Sequence, residues 1–219
     1  MSWIPIAAER TVLYSQIGLR LVDEFTGGPL QHRVEAHISF QDSAGNWQPL
    51  ELEPVPSPAG NLLYPGLGRS ASFGTAPMVR HRVQIESDFY RPEYLRNADA
   101  LEFDIHPYDD ANPPAVLPNI PHTVLMLPSV TYPFAGFVRT VRGRTLDNLG
   151  DPIANVEVTA GTTERVLSDE RGVFALPLRW APLSGAVIID AVDHRTGRTD
   201  QINLTLPQDL LQGQTFTLT

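Results

Sequence analysis

Cysteine is missing from this chain, and so is lysine. Without cysteine there is no disulfide framework, no thiolate metal site and no cysteine nucleophile. The 16 basic residues are therefore all arginine, and 25 acidic residues leave a net charge of −9. The clustered basic charge that nucleic acids or anionic membranes require is not there. No run reaches 18 apolar residues, so no membrane-spanning helix is encoded. The opening residues, Met1-Ser2-Trp3-Ile4-Pro5-Ile6-Ala7-Ala8-Glu9-Arg10, lack the basic start and long apolar stretch of a secretory signal. The expected location is the cytoplasm, with release inside a larger particle as the other route. A G-x-S-x-G elbow is missing too, and Gly66-Leu67-Gly68 lacks the third glycine and the helix of a dinucleotide or phosphate loop.

Proline and glycine are plentiful, at 20 and 16 of 219 residues. With 42% hydrophobic residues, that composition suits many short strands joined by tight turns around an ordinary core. Period-two alternation supports this. Val34, Ala36, Ile38 and Phe40 alternate with Arg33, Glu35, His37 and Ser39, and Leu101, Phe103 and Ile105 repeat the pattern. Ala186–Ala191 is an apolar run fit for a central strand, and Phe216 and Leu218 alternate with threonines at the end of the chain. Helix is expected only as a turn at Asp209-Leu210-Leu211-Gln212.

One arrangement occurs twice. Residues 21–65 run through Leu21-Val22-Asp23, Gly28-Pro29-Leu30, Val34-Glu35-Ala36 and Ser57-Pro58-Ala59-Gly60. Residues 146–177 run through Leu146-Asp147, Asp151-Pro152-Ile153, Val156-Glu157-Val158 and Ser168-Asp169-Glu170-Arg171-Gly172. The order of strand, Asp, proline turn, alternating strand, glycine turn and apolar strand predicts two related sandwiches. The expected fold is all-β, with two tandem Ig-like or transthyretin-like β-sandwich modules and a short N-terminal arm. The expected boundaries are 1–16 for the arm, 17–128 for the first module and 134–219 for the second.

The second module resembles the carboxypeptidase regulatory-like (transthyretin-like) β-sandwich family. The residues that carry the resemblance are Val141-Arg142-Gly143-Arg144-Thr145, Gly150-Asp151-Pro152-Ile153-Ala154-Asn155-Val156-Glu157-Val158 and Ser168-Asp169-Glu170-Arg171-Gly172-Val173-Phe174. The first module is similar in a looser, longer form. The resemblance implies the fold and a role as spacer, docking or adhesive unit, and fold alone assigns no chemistry. It points to a non-enzymatic structural or adaptor subunit of a multi-protein assembly, of the kind found in phage tails and contractile injection particles. Its partners would be other protein subunits or further copies of the same chain, with no nucleic acid and no membrane insertion. No cofactor, metal or catalytic residue is expected. Trp3, Ile4 and Ile6 in the arm are the leading contact residues.

Two other functions have candidate residues. Trp47, Tyr64, Tyr90 and Tyr94 would be the stacking platforms of a carbohydrate-binding module, against their ordinary use in a core. A metal-dependent enzyme would draw on His32 and Glu35, on His106 or His122 with Tyr90, Tyr94 and Tyr108, or on the loop residues Asp109, Asp110 and Asn112. On a strand His32 and Glu35 point to opposite faces. The Asp109 loop does not have the spacing of an EF-hand, and Asx turns account for its composition.

Overall fold

A computed structural model describes residues 13–69 and 77–219. Strands dominate: β1 (Gly18–Asp23), β2 (Glu35–Gln41), β3 (Trp47–Leu50), β4 (Val55–Pro56), β5 (Leu62–Leu63), β6 (Val79–Glu86), β7 (Tyr90–Pro92), β8 (Leu101–Ile105) and β9 (His122–Pro128) precede β10 (Arg139–Leu146), β11 (Glu157–Ala160), β12 (Glu164–Leu167), β13 (Val173–Leu178), β14 (Gly185–Val192), β15 (Thr199–Leu206) and β16 (Gln214–Thr217). Helix is confined to 3-10 turns at Glu93–Arg96 and Gln208–Leu211. The all-β expectation holds.

The chain forms two compact units, each built from segments distant in sequence. The smaller holds residues 13–20, 38–69, 77–82 and 102–122 of the described chain. Here β2 and β3 form a hairpin with Phe40 opposite Gln48, and β5 pairs with both β1 and β4. Leu19, Ile38, Leu67, Ile105 and Tyr108 are buried. Residues 14–16 are bonded into this unit. The Gly66 amide donates to the Tyr14 carbonyl (2.9 Å), and the Tyr64 amide donates to Ser15 Oγ (2.9 Å). Gln16 donates through Nε2 to the His106 carbonyl (2.5 Å) and accepts the His106 amide at Oε1 (3.1 Å).

The larger unit holds residues 21–37, 83–101 and 123–219. Its centre is a sandwich of a three-stranded sheet, β13-β10-β16, and a four-stranded sheet, β12-β11-β14-β15. The β10–β16 pairing is parallel, and the rest of these ladders are antiparallel. Val141, Val158, Phe174, Leu176, Ile189, Leu204, Phe216 and Leu218 fill the space between the sheets. Phe216 and Leu218 point inward as their alternation demands. Gly143 explains one fixed point of the family-like pattern. A Cβ there would strike the Gln214 carbonyl and come within 2.7 Å of the Phe174 ring, so this position admits no side chain.

The repeat is preserved most faithfully in its turns. Asp42–Gly45, Ser57–Gly60, Asp147–Gly150 and Asp169–Gly172 share one geometry. In each, the fourth residue donates to the first carbonyl, and the first amide donates to the carbonyl of the fifth. The first side chain also accepts the fifth amide, at 2.8, 3.1, 2.9 and 2.8 Å respectively. The glycine has φ between 70 and 89°, the left-handed position of a three-residue hairpin. Asp23 does not copy Asp147. Its turn is one residue longer, and its twin is the Asp193 turn: Asp23-Glu24-Phe25-Thr26-Gly27 matches Asp193-His194-Arg195-Thr196-Gly197. Gly27 and Gly197 donate to the aspartate carbonyls (2.8 and 2.7 Å), and the Phe25 and Arg195 amides donate to Oδ1 (2.9 and 3.1 Å).

Candidate functional site: an apolar cleft at Trp180

Within the larger unit β14 follows an unusual course. The apolar run is central to its sheet, with β11 on one side and β15 on the other. Only its inward residues are buried, however: Ile189 and Ala191 are covered, while Ile188 remains 49% exposed. β15 pairs with β14 along Gly185–Val192, but β11 meets it only at Asp190–Val192. β11 stops because Gly161-Thr162-Thr163 turns the chain away toward β12. On the β11 side Gly185–Ile189 therefore has no ladder partner among the described residues.

A cleft of about 430 Å³ lies at this place, lined by Gly161, Thr163, Trp180, Pro182, Ala186 and Ile188 among others. Trp180 and Leu183 stand at its rim, 75% and 81% exposed. The loop that carries them is anchored firmly. Arg139 donates to the Ala181 and Pro182 carbonyls (2.7 and 2.8 Å), and the Trp180 amide donates to Glu164 Oε1 (2.6 Å). Glu164 is itself buried, and burial pushes its carboxyl above the ordinary range despite the Trp180 and Arg179 amides and the nearby Arg179 and Arg139 charges. Large apolar side chains held outward by a satisfied backbone form a preorganised contact surface.

Behind the sandwich runs a network of arginines and carboxylates, all within the larger unit. Arg165 on β12 reaches Glu93 (2.8 Å), Glu24 (3.6 Å) and Glu157 (3.6 Å). Glu157 also takes Arg96 (3.3 Å) and lies 2.5 Å from His194 Nε2. Arg91 clamps Asn155 Oδ1 (2.6 Å) and Glu170 (2.8 Å), and Arg195 holds Asp99 (2.8 Å) and the Leu95 carbonyl (2.7 Å). Arg179 stacks on Phe25, 4.6 Å from the ring centre, and donates to the Phe25 carbonyl. These contacts tie residues 21–37 and 83–101 to the sandwich. Asp23, fully buried, accepts the hydroxyls of Tyr132 (2.8 Å) and Tyr90 (3.2 Å). Burial and that carboxylate push the Tyr132 hydroxyl far up, so it remains a donor.

The residues singled out from sequence do not gather at one place. Trp3, Ile4 and Ile6 lie outside the described residues. His32 stacks on Phe89 at 4.1 Å, whereas Glu35 is taken by Arg33 (3.4 Å) and His37 (3.8 Å). Asp109 Oδ1 closes an Asx turn on Ala111 and Asn112, and Asp110 pairs with Arg69 at 2.6 Å. Among the described residues no three His, Asp or Glu side chains converge as metal ligands would. Tyr64 and Tyr90 are buried. The Tyr94 hydroxyl accepts the Ile85 amide (2.8 Å), and burial pushes it up to about 12. Trp47 carries the Arg82 guanidinium 4.6 Å above its ring. The exposed tryptophan is Trp180, which alternation along β13 does not mark. Its signal is an isolated Trp between Arg179 and a proline-bearing loop directly after an apolar strand.

Fold and surface define an all-β sandwich protein. Neither a family model nor a curated protein sequence matches the chain. Among solved structures it is similar to the Bacillus anthracis TIE protein, at 12% identity and a TM-score of 0.28, over 94% of this chain and 33% of that one. It is also similar to a streptococcal ancillary pilin, at 11% identity and a TM-score of 0.28, over 96% of this chain and 63% of that one. The chain thus spans about a third of the first and under two thirds of the second. No helix among the described residues is long and apolar enough to cross a membrane.

Proposed function

We propose that this chain is a non-catalytic structural or adaptor subunit of a multi-protein assembly, acting through surface complementarity. The observation that supports this reading is the cluster of Trp180, Leu183 and Ile188 around an open cleft. Apolar side chains grouped in this way are the usual mark of a protein contact. In this reading 134–219 is a carboxypeptidase regulatory-like module and 17–128 its elaborated partner. The assembly is a phage-tail-like or contractile injection particle, and Trp3, Ile4 and Ile6 supply a second set of contacts.

The test is native purification from the source cell, with co-purifying subunits identified by mass spectrometry. Trp180→Ala combined with Leu183→Ser should lose those subunits while keeping the wild-type melting temperature. Undiminished co-purification of the double variant removes the reading. Retention of the wild type on a glycan matrix, lost on Trp180→Ala, would replace it with carbohydrate binding.

A further inference from the structure

We infer that the cleft at Trp180 is the receptor for the N-terminal segment of a second copy of this chain, which adds to β14 as an extra strand. The inference rests on the contact-subunit reading and names the partner of that surface. Two features of the cleft point to a strand. Gly185–Ile189 offers backbone amides and carbonyls along a side that β11 leaves unpaired, and such an edge is satisfied by an incoming extended segment. The apolar groups beside it, Trp180, Pro182, Ala186 and Ile188, provide pockets for the alternating side chains of that segment.

The occupant is argued from the chain that precedes Leu13. Residues 1–8 carry no charged side chain and place Trp3, Ile4 and Ile6 in one short stretch. Pro5 biases Ile4 away from helix toward an extended backbone. It also removes only one donor, which an edge strand tolerates when that position faces away from the ladder. The hydrogen bonds of residues 14–16 fix where this segment starts. From Leu13, seven residues lead back to Ile6 and ten to Trp3, a reach of about 23 to 33 Å at roughly 3.3 Å per residue. That is ample to span to a neighbouring molecule. Segment and receptor are different surfaces, so the contact is heterologous: each copy donates and accepts, and repetition yields a ring or an open filament.

The test uses the full chain and two variants in sedimentation velocity across a hundredfold concentration range. One variant, Trp3→Ser with Ile4→Ser, disables the donor. The other, Ile188→Asp, disables the receptor at an exposed position. Both should keep the wild-type melting temperature, and Trp180→Ala serves as a second receptor variant should Ile188→Asp melt early. Wild type should associate with rising concentration, and each variant alone should sediment as a monomer at least tenfold beyond the wild-type midpoint. An equimolar mixture of the two should form a dimer and no larger species, since only one donor–receptor pair remains intact. A mixture that stays monomeric overturns the inference, as does a wild type that never associates, which includes the case of each segment filling its own cleft. Donor variants that lose association while receptor variants keep it also overturn it, yet leave the subunit reading standing. Loss of co-purifying subunits in the Trp180→Ala, Leu183→Ser variant is the separate measure of that reading.

Discussion

Replacing Gly143 with alanine should be among the most damaging small changes in the chain. The added methyl has nowhere to go: it meets the Gln214 carbonyl on the parallel strand β16 and the Phe174 ring at 2.7 Å. Overpacking a filled core costs about 1–3 kcal/mol, and a clash that includes backbone belongs near the upper figure, about 3 kcal/mol. Gly150→Ala is the control. Gly150 sits at φ 89° with nothing within 4 Å of a built Cβ, so its cost is the left-handed backbone alone, about 1–2 kcal/mol. Phe174→Leu trims the ring that faces Gly143 and should cost about 1–2 kcal/mol through the space it leaves. In combination with Gly143→Ala that space becomes useful, and the double variant should be more stable than the sum by about 1 kcal/mol. Gly150→Ala with Phe174→Leu should be additive. Urea unfolding with unchanged m values gives all four numbers. A stable Gly143→Ala, or strict additivity in the first pair, would refute the close-approach reasoning.

The remaining expectations concern charge and surface. Arg165→Ala leaves Glu24, Glu93 and Glu157 facing one another and should cost about 3 kcal/mol, whereas Arg171→Ala, whose side chain is 76% exposed, should fall below about 0.5 kcal/mol by urea unfolding. Acid should act in two phases. Burial raises the Glu24 and Glu164 carboxyls above 4.5. These groups favour the folded state when protonated, so their contribution is present below 4.5 and lost as pH rises through their folded values. Asp169 and Asp193 are held below 3.8: burial pushes each up, but the Arg171 and Val173 contacts in one and Thr196, Arg195 and Arg198 in the other outweigh it. Their contribution is present above 3.8 and lost as pH falls through their folded values. The urea midpoint of Glu164→Gln should therefore lose the gain seen in wild type from pH 7 toward 4.5, and Asp193→Asn should lose part of the fall below 3.8. Trp180→Ala should shift stability by less than about 0.5 kcal/mol, measured by thermal melting, because its ring has little to lose on the open surface.

Local chemistry was readable in the sequence, and long-range chemistry was not. The alternation at Ile38, Phe216 and Leu218 reports a face toward or away from a core, so it predicts strands directly. The Asp-x-x-Gly turns are legible because one side chain and one left-handed glycine suffice to build them. The pairing of the Asp23 turn with the Asp193 turn is written in Asp-x-x-Thr-Gly, but loop length rather than order in the repeat reveals it. The Arg165 network joins residues up to 141 positions apart (Glu24 to Arg165), and nothing in a strand's own residues states which acid it will face. The Trp180 cleft was hidden for a related reason. It exists because β11 ends before β14 does, and strand ends depend on turn geometry more than on composition. The aromatic residues chosen as sugar platforms fared as aromatics in a sandwich usually do. Tyr64 and Tyr90 went to the interior, and Trp47 took an arginine onto its face.

Amide hydrogen exchange on the assembled protein, compared with the dilute chain, examines the contact surface itself. Slowed exchange confined to Gly185–Ile189 and the Trp180 loop is the predicted outcome. Equal exchange there in both samples, with protection arising elsewhere, would contradict a role for this cleft in holding the assembly together.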